Sequence, residues 1–211
     1  MRFLLAGDST VAACPPEEHP MSGWGAALER RLRPGDQVVN FAKGGATTQS
    51  FIVEGLWGAL LTEARSGDVA IIQFGHNDQK QPDLLAAQGG YRARLEGFVG
   101  DLREREVTAV LCTSVERRLF AGERLRPSHG PYPRAVRQLA AAHEVPLIDL
   151  TVFTSWLYEY LGVAGSAALF TASDNTHFHE HGADLVAGFV ARSLRAILGW
   201  DDDLAPLGVQ K

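Results

Sequence analysis

A chain of 211 residues, 45% apolar and 21% charged, fits one globular domain with a sizeable core. Its formal charge of −5, with no basic cluster to track phosphates, argues against nucleic acid as a partner. No apolar run approaches the roughly 20 residues of a membrane helix, and two cysteines, Cys14 and Cys112, are too few for a disulfide framework.

The opening MRFLLAGDST has a positive residue before apolar ones, but its apolar run of about five is shorter than the roughly 7–15 of a secretion signal. It reads instead as a first strand, RFLLAG, and the expected location is cytoplasmic. SGWGAALERRL follows as a helix, with a Ser cap, an apolar stripe at Trp24, Ala27, Leu28 and Leu32, and a stop at Pro34-Gly35. QVVNFA is the second strand, followed by a Gly-rich turn and one helical stretch, TQSFIVEGLWGALLTEAR. DVAIIQFG is a nearly continuous apolar run, as expected of a strand covered on both faces.

QKQPDLLAAQGG reads as a loop or lid, and YRARLEGFVGDLRERE as a helix burying Leu95, Phe98, Val99 and Leu102. TAVLCTSV is the fourth strand, PRAVRQLAAAHE a helix and VPLIDL the fifth strand. The tail HGADLVAGFVARSLRAIL is a long amphipathic helix. Five strands alternating with helices predict a single α/β domain over residues 1–211, a three-layer α/β/α sandwich around a five-stranded parallel sheet.

Ligands of such sheets sit beyond the carboxyl ends of the strands. Gly7-Asp8-Ser9 follows the first run, Gly44-Gly45 the second and Gly75-His76-Asn77-Asp78 the third, while DNTHFHEH (174–181) precedes the last helix. Ser9 is a candidate nucleophile, although a lone serine there also reads as a cap or turn residue. Asp174 and His177, three apart, suit an orienting carboxylate and a general base, or a plain cap and a loop histidine. The N–H of Gly45 and the side-chain amide of Asn77 are candidate oxyanion donors, each with a bland turn role beside it. Together they make a kit for acyl transfer at one sheet edge.

His177, His179 and His181 also raise a metal reading, since zinc wants three or four converging ligands. HGADLVAG begins a helix that carries His181 away from His177, so no metal is expected. Arg117 and Arg118, after the fourth strand, are candidates to meet a substrate carboxylate through a bidentate pair, or else a solvated loop pair.

The blocks GDST, Gly45, GHND and DNTH, in this order, resemble those of the SGNH (GDSL) hydrolases. GDSTVA, GWG at 23–25, NFAKGGATTQSF, QFGHNDQK, TSVERRLF, VPLIDL and DNTHF with HGA resemble the rhamnogalacturonan acetylesterases, from Gly7 to about Ala187. The resemblance implies a flavodoxin-like fold and an acetylated oligosaccharide substrate, without metal or organic cofactor. It implies Ser9 as nucleophile with Asp174 and His177 completing a triad, and an oxyanion hole of Ser9 N–H, Gly45 N–H and the Asn77 amide. Where secreted members often carry Gly-Arg-Ser, this chain has Gly45-Ala46-Thr47, which removes an arginine that would greet an acidic sugar. A broader acyl esterase or thioesterase, an acetylxylan esterase, and a non-catalytic carbohydrate-binding module stay open as alternatives, as does the oligomeric state.

Overall fold

The computed structural model describes residues 1–172 and 174–200. Strand β1 (Arg2–Gly7) is followed by the short helix α1 (Gly25–Leu28), which runs into a 3₁₀ turn at Glu29–Arg31, and by strand β2 (Gln37–Asn40). Helices α2 (Thr48–Val53) and α3 (Leu56–Glu63) precede strand β3 (Val69–Gln73). After it come α4 (Pro82–Leu85), α5 (Arg92–Arg103) and strand β4 (Thr108–Cys112). A small hairpin, β5 (Phe120–Ala121) with β6 (Arg124–Leu125), leads to α6 (Tyr132–Ala142) and strand β7 (Leu147–Ile148). Helices α7 (Leu150–Ala167) and α8 (Glu180–Ile197) complete the order.

The five-stranded sheet runs β2-β1-β3-β4-β7, and every pair in it is parallel. This is the flavodoxin-like order, with its switch point between β1 and β3. Successive residues of a strand face opposite sides. Phe3 and Leu5 therefore join Ile71 and Val110 in a core with Trp24, Leu28, Leu157, Val186 and Val190. Leu4 and Ala6 join Ala70, Ile72 and Leu111 on the other side, with Phe51, Leu60, Phe98, Leu102 and Leu139. Helices α1, α7 and α8 cover one face and α2, α3, α5 and α6 the other, which is the expected three-layer sandwich. No helix among the described residues is long and apolar enough to cross a membrane.

Local departures from the expectations have physical causes. The stretch 48–63 is two helices, because Gly55 adopts φ +78 and breaks the first run. α1 has no side-chain cap; Ser22 donates its hydroxyl to the carbonyl of Gly23 instead of accepting from the helix. The loop after β3 contains short helical turns. α7 was not foreseen: Asp149 caps it by accepting from the N–H of Val152, and Arg137 holds that carboxylate through two hydrogen bonds.

Candidate active site

Ser9 sits where β1 leaves the sheet. Gly7 has to be a glycine, since a Cβ there would lie 2.8 Å from the carbonyl oxygen of Gln73 and closer still to Val11. Asp8 builds the turn: its carbonyl accepts from the N–H groups of Val11 and Ala12, both at 3.0 Å. Its carboxylate accepts from the N–H and hydroxyl of Thr10 at 3.0 and 2.8 Å. Ser9 stands at the apex, and its own N–H makes no hydrogen bond among the described residues. Burial pushes the Asp8 carboxyl up, but the His76 imidazole at 3.3 Å and the Thr10 hydrogen bonds outweigh it, holding it below its usual range.

The Oγ of Ser9 lies 3.1 Å from Nε2 of His177, and Nδ1 of His177 lies 2.5 Å from Oδ2 of Asp174. The other carboxylate oxygen of Asp174 accepts from the backbone N–H groups of Thr176 and His177, both at 2.7 Å. One short turn thus aims the carboxylate and the ring together. Burial raises the Asp174 carboxyl, but hydrogen bonds from the His177 imidazole and these N–H groups prevail and hold it below the usual range. An ionised carboxylate at Nδ1 keeps the proton on that nitrogen and leaves Nε2 free to accept one from Ser9. The segment is anchored by a bridge between Phe170 and the buried Phe178, and by the N–H of Arg118 donating to the carbonyl of Asn175 at 2.8 Å.

The expected oxyanion donors arrive from β2 and β3. Lys43 to Ala46 form a turn closed by the Ala46 N–H on the Lys43 carbonyl at 3.1 Å. Gly45 holds its third position at φ +75, the left-handed conformation that a type II turn demands there. The Gly45 N–H has no acceptor among the described residues. Asn77 donates one amide hydrogen to the carbonyl of Ala46 at 3.1 Å, tying the two loops together. The buried Asp78 repeats the tie by accepting from the N–H and hydroxyl of Thr48 at 2.9 and 2.6 Å. Burial is the main reason that the Asp78 carboxyl is raised from 3.8 to about 6, with the neighbouring Asp8 charge adding to it.

Ser9, Gly44, Gly45, Asn77 and His177 line one cleft of about 640 Å³, together with Cys14, Lys43 and Lys80. The arrangement offers a nucleophile, a base, its orienter and amide donors at one edge, as acyl transfer requires. Arg117 and Arg118 do not join it. Arg117 is half-buried and donates to the carbonyls of His76 and Ser128, while Arg118 donates to the hydroxyl of Ser166 and the carbonyl of Val163. Each guanidinium thus donates two hydrogen bonds to the protein's own acceptors. His179 is the N-cap residue of α8 and His181 lies in its first turn, and no group of acids, histidines and cysteines suited to a metal occurs among the described residues.

Sequence reading passed over a buried polar cluster behind the site. His76 packs edge-on against His129 at 4.5 Å between ring centroids, and His129 lies 3.6 Å from Glu116. Burial, with His76 and Arg117 nearby, pushes the His129 imidazole down to about 2, so it is neutral at any working pH. A histidine and two acids inside the strand-end blocks GDS and GHND are the signal that a polar scaffold stands there.

Comparisons with known proteins show the family. Residues 5–185 match the model of the GDSL-like Lipase/Acylhydrolase family. The rhamnogalacturonan acetylesterase RhgT of Bacillus subtilis (strain 168) is 40% identical, over 93% of this chain and 90% of its own. The crystal structure of Bacillus subtilis YxiM superposes with a TM-score of 0.84 at 26% identity, over 92% of this chain and 56% of that one. A variant of Axe2, an acetyl xylan esterase from Geobacillus stearothermophilus, shares the fold at a TM-score of 0.67 and 20% identity, over 97% of each chain. This chain belongs to the GDSL-like lipase/acylhydrolase family.

Proposed function

We propose that the protein is a serine esterase that removes O-acetyl groups from pectic carbohydrate, of the rhamnogalacturonan type. The observation that carries the reading is the Ser9–His177–Asp174 relay, at 3.1 and 2.5 Å, in a cleft that also presents Gly45 and Asn77. Its likeness to RhgT over nearly the whole chain supports the choice of substrate.

Ser9 attacks the acetyl carbonyl while Nε2 of His177 takes the hydroxyl proton. The tetrahedral oxyanion is received by the N–H groups of Ser9 and Gly45 and by the Asn77 amide. His177 then protonates the departing sugar oxygen, leaving acetyl-Ser9. The same imidazole activates a water that releases acetate and restores the serine. Asp174 stays ionised throughout and stabilises the imidazolium formed in each half-reaction.

Acetate release across acetylated rhamnogalacturonan oligosaccharides, acetylated xylan and small aryl acetates tests the reading. The highest kcat/KM is expected on the first. An equal or higher value on xylan would move the substrate assignment, and preference for long acyl chains would replace acetylesterase by a broader acyl hydrolase.

A further inference from the structure

The oxyanion donor Asn77 has a partner of its own. The ammonium of Lys80, on the 3₁₀ turn Asp78–Lys80, donates to Oδ1 of Asn77 at 2.9 Å. On its other side, Nδ2 of Asn77 donates to the carbonyl of Ala46 at 3.1 Å. An ammonium only donates and a carbonyl only accepts. These two partners therefore admit one orientation of the amide, with the NH₂ end toward the Gly45 turn. One of the two Nδ2 hydrogens is held by Ala46, which leaves the second for the cleft that Asn77 lines.

The charge matters as well as the geometry. Two lysines line the cleft beside the serine, Lys43 and Lys80. Lys43 is paired with the carboxylate of Glu54, whereas Lys80 has no carboxylate within ion-pair distance among the described residues. A positive charge on a carbonyl oxygen draws electron density from the amide and makes its N–H a stronger donor. That is the change which favours an oxyanion over a neutral carbonyl.

We propose that Lys80 is a positioning residue of the oxyanion hole, fixing and polarising the Asn77 amide. It does for Asn77 what Asp174 does for His177. The inference rests on the oxyanion role assigned to Asn77 above. Lys80 acts through that amide and not by holding the substrate.

A double-mutant cycle on a neutral aryl acetate tests it, using Lys80→Met, Asn77→Ala and the combined variant, with Lys80→Arg as the conservative control. Lys80→Met is expected to lower kcat about tenfold, a fraction of the 10²–10³ for a whole oxyanion donor, with KM little changed. Lys80→Arg restores most of the rate, and thermal melts of all variants stay close to wild type. In the Asn77→Ala background, Lys80→Met costs nothing further, because the group it acts on is gone. Losses that multiply in the double variant would overturn the proposal while leaving Asn77 in its role. So would an unchanged kcat on the aryl acetate with a raised KM on acidic oligosaccharides, the signature of a carboxylate-binding lysine. An Asn77→Ala variant as fast as wild type would remove the oxyanion role itself, and this inference with it.

Discussion

Ser9 and His177, 168 positions apart in the chain, approach to 3.1 Å between Oγ and Nε2. The contact joins two distant segments: Ser9 is delivered by the end of β1, and His177 by the segment leading into α8. Neither residue is reactive alone. A serine hydroxyl needs a base to take its proton, and that base needs a carboxylate to hold its tautomer.

The Asp174→Asn variant isolates the last of these requirements. Oδ1 of Asp174 takes two backbone N–H groups, and Asn preserves that turn. Oδ2 meets Nδ1 of His177, where an amide nitrogen would impose the wrong tautomer. The expected result is a folded protein with kcat lower by as much as about 10⁴. Steady-state kinetics beside a circular dichroism spectrum check it, and a loss under about tenfold would leave Asp174 a loop cap only.

Asn77→Ala removes the proposed oxyanion donor and the tie to the carbonyl of Ala46. A fall in kcat of about 10²–10³ is expected, with the pH dependence of kcat/KM keeping its shape. A displaced acid limb would mean that Asn77 acts through the titrating base instead.

Asp78 couples stability to pH. Its carboxyl is raised from 3.8 to about 6, chiefly by burial, so the folded chain binds the proton more tightly than the unfolded chain. The stability it contributes is full below pH 3.8 and is lost as pH rises through about 6. Asn cannot ionise and still offers an oxygen to Thr48. Asp78→Asn should therefore gain stability relative to wild type between about pH 4 and 8, on the order of 3 kcal/mol from the shift alone. Urea unfolding at both pH values measures the difference; a gap that is the same at both would show that Asp78 does not titrate in this range.

Dialysis against EDTA should leave acetate release unchanged, and added zinc should not raise it. The reaction drawn here uses only His177 of the three histidines at 177–181. Loss on chelation with recovery on zinc would bring His179 and His181 into the chemistry.

Much of this was legible in the sequence because strand ends and motifs coincide. RFLLAG, QVVNFA, DVAIIQFG, TAVLCTSV and VPLIDL each contain one strand of the sheet, and each of the polar blocks that follow the first three contributes a residue to the cleft: Ser9, Gly44 with Gly45, and Asn77. Single residues were harder. Gly55 reads as a tolerable helix glycine until its φ of +78 splits the helix. Arg117 and Arg118 follow a strand whose end faces the site, but whether a side chain points outward or back into the protein depends on distant acceptors such as Ser128 and Ser166. Lys80 carried a weak signal, three residues after Asn77 on a turn, a spacing that puts side chains on one side. Asp78 carried only the shared signal of an acid in a strand-end block, since its burial depends on distant partners such as Thr48 of α2.

The rate of Ser9→Ala tests the role of Ser9 as nucleophile most directly. Only a hydroxyl is lost at the apex of a turn built by Asp8, so the fold and its melting temperature should be kept. Acetate release should fall by about 10⁶, the loss typical of a removed triad nucleophile. A purified, folded Ser9→Ala retaining more than about a tenth of the wild-type rate would contradict it, since no essential nucleophile is so dispensable.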